Sequence, residues 1–201
     1  LLGLLLGFAE VSLRRSWAKV QALTAQLRQY SEWSLGSGIL SRAINDARTL
    51  SLKRVHRAVV FMDIRGFTAW SEQQAPEAVV GMLNDFYAAA EGALGDDIPI
   101  KLKYTADEVM VVFADAASAL TAARRMLAST RPLLADQGLT VGAGVHVGQV
   151  VEGVLGGHNA KAYDFIGDTV NTAQRLCDAA APGELLASTE VCMEAGLAVE
   201  H

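Results

Sequence analysis

The sequence is poor in the residues that build metal clusters and nucleic-acid surfaces. Its 201 residues contain only two cysteines and four histidines. Cys177 and Cys192 have no metal-like spacing, which excludes a cysteine-based metal site and leaves both as small core residues of a reducing compartment. Positive charge is also scarce, with 17 Lys and Arg against 22 Asp and Glu and a net charge of −5. No basic stripe with interleaved aromatics appears, which argues against a nucleic-acid partner. Nucleotides remain possible, because small phosphates need only local donors. Long apolar runs are missing too: the opening "LLGLLLGFAEVSL" is shorter than the about 20 residues that span a bilayer, and it lacks the basic start of a signal peptide. Leu1 to Phe8 is nonetheless apolar on every face, and Arg14, Arg15 and Lys19 follow directly, as basic residues do on the cytoplasmic side of a membrane segment. Residues 1–9 are therefore expected to be the end of a transmembrane helix, attaching a cytoplasmic domain to the membrane.

The 51% hydrophobic content suffices for one substantial core with an appendage. Residues 10–58 read as a helical connector, in which Val20, Leu23, Leu27 and Tyr30 follow a 3, 4, 3 spacing. That is a short coiled-coil-like seam, although a helix lying on the domain would show the same pattern. "SLGSGIL" (34–40) breaks it, and a second short amphipathic piece leads to the first strand.

That strand lies in "VVFMDIRGFTAW" (59–70), where an apolar run stops at Asp63 and turns at Gly66. A charge in this place is offset by a cation, a metal or backbone donors, or else Asp63 caps a helix beginning near Thr68. Helical pattern follows over 68–94, broken near Pro76; then "IPIKLKY" and "VMVVF" form a hairpin around "TADE". An alanine-rich helix spans 116–134, and "LTVGAGVHVGQVVEGVLG" and "KAYDFIG" are strands joined by "GHNA". Asp168 is expected to cap a helix from Thr169 to Ala180, and "ELLAST" is a last strand. The class is α+β, one mainly antiparallel sheet with packed helices. Pairing the strand at 59–63 with the hairpin brings Asp63 and Asp107 together. Carboxylates so placed repel unless cations lie between them, and such oxygen ligands suit Mg²⁺ or Mn²⁺. The turn Arg65-Gly66-Phe67-Thr68 offers backbone N–H groups to phosphate.

Four blocks, "FMDIRGFT", "KYTADEVMVVF", "GVHVGQVVEGVLG" and "YDFIGDTVNTAQRL", resemble the catalytic domain of the class III adenylyl and guanylyl cyclases, in the family's order and with its approximate gaps. The likeness covers about residues 55–190 and implies a ferredoxin-like, palm-type domain over 59–201, whose relatives continue beyond "ELLAST" with further strands. It implies two divalent ions per site, held by Asp63, Asp107 and the Ile64 carbonyl, with residues 65–68 on the β- and γ-phosphates. By the same likeness, Asn171 orients the ribose and Arg175 stabilises phosphoryl charge. Lys103 and Asp164 fall at the two base-reading positions. Adenine presents an acceptor and an amino donor, which a lysine and an aspartate satisfy, whereas guanine presents the reverse pattern. The resemblance thus points to an adenylyl cyclase acting on ATP in a homodimer with shared sites. A guanylyl cyclase, or a catalytically silent cyclase-like domain that dimerises and relays a signal, are the alternatives; a polymerase-like palm shares the two aspartates but leaves Lys103 and Asp164 unexplained. Three departures stand out: Ala106 replaces a usual glycine, Glu108 is expected to point away from Asp107, and Gln174 is expected on the exposed side of its helix. His146 and His158 are expected to take no part in chemistry.

Overall fold

The apolar run at 58–62 lacks polar alternation because the strand it forms is covered on both faces. In the computed structural model, which describes residues 2–197, this strand is β1 (Lys53–Arg65). Ala58, Val60, Met62 and Ile64 enter one buried cluster, while Val59 and Phe61 enter a second on the opposite face. The order of elements before it is α1 (Leu2–Leu35), α2 (Ser37–Asn45) and a 3₁₀ turn (Ala47–Leu50). After it come α3 (Phe67–Ser71), α4 (Pro76–Gly92), β2 (Lys101–Thr105), β3 (Glu108–Phe113) and α5 (Ala116–Ala135). Then follow β4 (Thr140–Gly156), β5 (Lys161–Ile166), α6 (Asp168–Ala179), β6 (Leu185–Ala187) and α7 (Thr189–Glu194).

The sheet runs β2-β3-β1-β4-β5, with β6 beside β4. Every pairing on that path is antiparallel, and only β6 runs parallel to its neighbour. Helices α4 and α5 cover the first face through Phe86, Ala123 and Met126; α2 and α6 cover the second through Ile39, Ala173 and Cys177. Helix α6 lies so close to β4 that a Cβ on Gly144 would lie 2.7 Å from the backbone carbon of Leu176 and overlap the Cys177 nitrogen. Only glycine permits that approach.

Several boundaries differ from the expectations. β1 starts at Lys53 rather than at Val59, because the largely polar residues 53–57 pair with the far half of β4, Lys53 opposite Glu152. The fully buried Glu152 carboxylate accepts from Arg57 Nε at 2.8 Å and Nη2 at 3.0 Å, with Lys53 Nζ at 3.3 Å. Burial pushes Glu152 up, but the Arg57 fork and Lys53 outweigh it and hold the carboxyl below the usual range. Asp168 is the first residue of α6 instead of its cap; Gly167 occupies the cap position without a side-chain bond. The helical region broken near Pro76 is two helices, as expected, with Pro76 opening the second. α1 runs unbroken to Leu35, and Gly36, at φ 86°, ends it within "SLGSGIL". No helix among the described residues is long and apolar enough to cross a membrane.

Candidate active site

The register of β1 and β3 sets Asp63 opposite Glu108, so the end of β1 meets the two-residue turn Ala106–Asp107 between β2 and β3. The Ile64 N–H donates to the Asp107 carbonyl at 3.1 Å and locks the two chain reversals together. The expected meeting of Asp63 and Asp107 is therefore built by backbone pairing. Burial, then the Asp107 charge, pushes the Asp63 carboxyl up to about 6 even though the Arg65 guanidinium opposes the shift. A half-buried carboxyl raised by burial and by the charge of the carboxylate it meets belongs to a donor set suited to a hard divalent cation. Asp63 does not cap the following helix: Gly66, at φ 81°, is the first-turn cap of α3, and Phe67 packs on the first cluster. The N–H groups of the opening turn at residues 66–68 have no intrahelical partner.

Ala106 has φ 50° and is the one non-glycine residue with positive φ among the described residues. An L side chain there costs about 1 kcal/mol. The turn is held in place nonetheless, since the Tyr87 hydroxyl donates to the Ala106 carbonyl and the Tyr87 ring stacks on Tyr104 at 4.2 Å.

Lys103 lies on β2 and Asp164 on β5, at opposite edges of the sheet. The strong curl of the long β4 closes those edges toward each other, and Lys103 Nζ donates to Asp164 Oδ2 at 2.8 Å. The other carboxylate oxygen accepts from the Phe165 N–H at 3.0 Å, which fixes its orientation. The pair opens on a cavity of about 870 Å³, bounded also by Trp33, Gly36, Ile98 and Tyr104. Lys101 is not the solvated lysine that its alternation with Lys103 suggests. It is buried, donates to the Ser34 carbonyl of α1, and is pushed below the usual lysine range by that burial.

On α6, Ala173 and Cys177 face the sheet, which turns Asn171 and Arg175 to solvent. Arg175 is 71% exposed, and its nearest acid is Asp168 at 4.0 Å, a loose surface pair worth little. Neither Asn171 nor Arg175 is brought onto its own chain's Asp63 or Asp107. One expectation on this helix is corrected. Gln174 is half-buried rather than exposed, and its amide donates to Glu108 at 2.5 Å and also to Asp178 at 3.3 Å. Burial pushes the Glu108 carboxyl up, while the Gln174 bond counteracts that shift.

The sequence profile described as Adenylate and Guanylate cyclase catalytic domain matches residues 53–195. The chain belongs to the class III nucleotidyl cyclases. Its fold is shared by the adenylyl cyclase CyaB from P. aeruginosa, at a TM-score of 0.67 and 28% identity over 72% of this chain and 82% of that one. The guanylyl cyclase Cya2 has the same TM-score at 23% identity, covering 74% and 82%. Among curated relatives, the uncharacterized protein Rv1318c of Mycobacterium tuberculosis is 31% identical over 164 residues, 78% of this chain and 30% of that protein. The chain thus spans less than a third of the length of such relatives. Within this cyclase catalytic domain, the side chain of Arg65 is the feature that motif reading missed. The motif assigns residue 65 a backbone role, and nothing in the local pattern signals that its guanidinium turns back on Asp63, Nη1 to Oδ2 at 2.8 Å.

Proposed function

We propose that this domain is an adenylyl cyclase, converting ATP to 3′,5′-cyclic AMP and pyrophosphate in a homodimer whose two sites are shared between protomers. The observation that carries the adenine assignment is the 2.8 Å pair of Lys103 and Asp164 at the mouth of the cavity. Without nucleotide the two satisfy each other; with adenine, the ammonium donates to the ring acceptor and the carboxylate accepts from the amino group. Asp63, Asp107 and the Ile64 carbonyl would hold two Mg²⁺ or Mn²⁺ ions, and the raised Asp63 carboxyl supports that fit. Bound there, the ions supply positive charge that lowers the pKa of the ribose hydroxyl and steadies the phosphates. The backbone of residues 65–68 cradles the β- and γ-phosphates.

In the reaction the ribose 3′-oxygen bonds to the α-phosphorus, the bond from that phosphorus to the bridging oxygen breaks, pyrophosphate leaves, and the hydroxyl proton is released. Asn171 orients the ribose. Arg175 meets the charge that grows on the α-phosphoryl oxygens, which a preorganised guanidinium stabilises more strongly in the transition state than in the ground state. Sharing is supported by the outward aim of Asn171 and Arg175 and by the exposed stripe Val20, Leu23, Leu27 and Tyr30 along α1, which fits a second copy of the same helix. The test is incubation with ATP or GTP in Mn²⁺ and identification of the product by mass spectrometry. Cyclic AMP in clear excess over cyclic GMP is expected; a preference for GTP, or no cyclic product from either, overturns the assignment.

A further inference from the structure

The guanidinium of Arg65 touches two parts of the chain that belong to different halves of the proposed chemistry. Nη1 holds Asp63 Oδ2 at 2.8 Å, and Nη2 donates to the Cys177 carbonyl in the last turn of α6. The group is enclosed: its Nε is buried with no partner among the described residues, and a Cβ on Gly142 would lie 2.7 Å from Nε and 2.9 Å from Cζ. The glycine in β4 therefore leaves the space that the guanidinium fills. A second tie runs parallel to the first, from Glu108, next to Asp107, through the Gln174 amide to α6. Both aspartate turns are thus braced against the same helix, and that helix presents Asn171 and Arg175.

We infer that Arg65 is a positioning residue whose side chain transmits the occupancy of the Asp63–Asp107 pair to α6. This rests on the metal reading of that pair given above, and it assigns the Arg65 side chain a role separate from the phosphate contacts of its backbone. Cations at Asp63 draw its charge away from Arg65. The guanidinium is then left to its partner at the C-terminal end of α6, where a positive charge is favourable because unpaired carbonyls converge there. The last turn of α6 becomes better held, and with it the mounting of Arg175. In a dimer with shared sites, α6 serves the partner's site, so the same strut links the two sites of one molecule.

The test measures Mn²⁺ binding by electron paramagnetic resonance and, at saturating Mn²⁺ without nucleotide, hydrogen exchange of the amides at 176–181 by mass spectrometry. In the wild type, exchange there slows by about tenfold when Mn²⁺ is bound, as expected for a local opening that has become rarer. Arg65→Gln still binds Mn²⁺, but its α6 response falls below about twofold. Gly142→Ala retains Arg65 and displaces its guanidinium, so it loses the response in the same way and keeps the test open if Arg65→Gln does not fold. An undiminished response in both variants overturns the inference while leaving the metal reading intact. Absence of Mn²⁺ binding in the wild type, or binding by Asp63→Asn as tight as the wild type's, overturns the metal reading and the inference with it.

Discussion

Asp63 lies two residues before the end of β1, after five residues that are almost wholly buried, and its carboxyl is held at about 6 by burial and by Asp107. In the unfolded chain it returns to 3.8. A folded pKa above the unfolded one means that the native state holds the proton more tightly between those values, so the metal-free protein loses stability as pH rises from 4 through 6. Asparagine carries no charge and still accepts from Arg65. Asp63→Asn is therefore expected to raise the melting temperature of the metal-free protein at pH 7.5, corresponding to about 2 kcal/mol at most, and to give no gain at pH 4. Calorimetry at the two pH values checks this, and a gain independent of pH would show that Asp63 is not under that strain. The same protonation would compete with the divalent ions proposed for this pair, so Mn²⁺ binding is expected to weaken below about pH 6. Ala106 acts at this scale too: its left-handed backbone is costly for alanine, and the Tyr87 hydroxyl and ring hold the turn against that cost.

Among the elements, α1 carries the stripe Val20, Leu23, Leu27 and Tyr30, each more than half exposed, and ends at the Ser34 carbonyl that receives Lys101. Lys101 is two residues from Lys103 on β2, so the contact with the end of α1 and the lysine proposed to read the base lie on one short strand. A residue inserted between Leu27 and Ser34 turns the stripe by about 100° relative to the Lys101 contact. Activity should change several-fold with an unchanged far-ultraviolet spectrum and melting temperature; unchanged activity would count against a rigid helical relay. The order of these elements was legible because each has a local signature: two-sided burial in β1, short apolar runs around a tight turn in β2 and β3, alanine spacing in α5. What was not legible depends on partners far along the chain. Residues 53–57 read as part of the helical connector until Glu152, 95 residues beyond Arg57, provides the carboxylate that lets Arg57 lie in a sheet. Gln174 and Glu108 look like surface residues until α6 docks on Gly144 and brings them together. The meeting of Asp63 and Asp107 was readable from strand and turn grammar alone; the roles proposed for Lys103, Asp164, Asn171 and Arg175 needed the family likeness, since local spacing gives them no chemistry of their own.

At the scale of the whole molecule, the decisive question is whether one protomer can assemble a complete site. The Asp63–Asp107 pair sits at one end of the sheet's central strands, whereas Asn171 and Arg175 point from α6 into solvent. A second protomer related by a two-fold axis would place its α6 over the first protomer's aspartates and receive the reciprocal arrangement, giving two equivalent sites. Asp63→Ala removes the metal half from both sites of its homodimer, and Arg175→Ala removes the transition-state half from both of its own. Each variant alone is expected to be nearly inactive. When equal amounts exchange subunits freely, half of the dimers contain one chain of each kind. In such a dimer, the Asp63→Ala chain supplies its defective aspartates to the site that also receives the defective α6, so one site carries both lesions and the other carries none. One working site of two, in half of the dimers, amounts to about a quarter of wild-type activity under closed two-fold symmetry. The measurement is cyclic nucleotide production after mixing at a concentration where exchange has been verified with differently tagged chains. Recovery near a quarter supports the shared site; persistent inactivity in verified mixed dimers would mean that each protomer must act through its own α6, and the homodimer mechanism would fall with it.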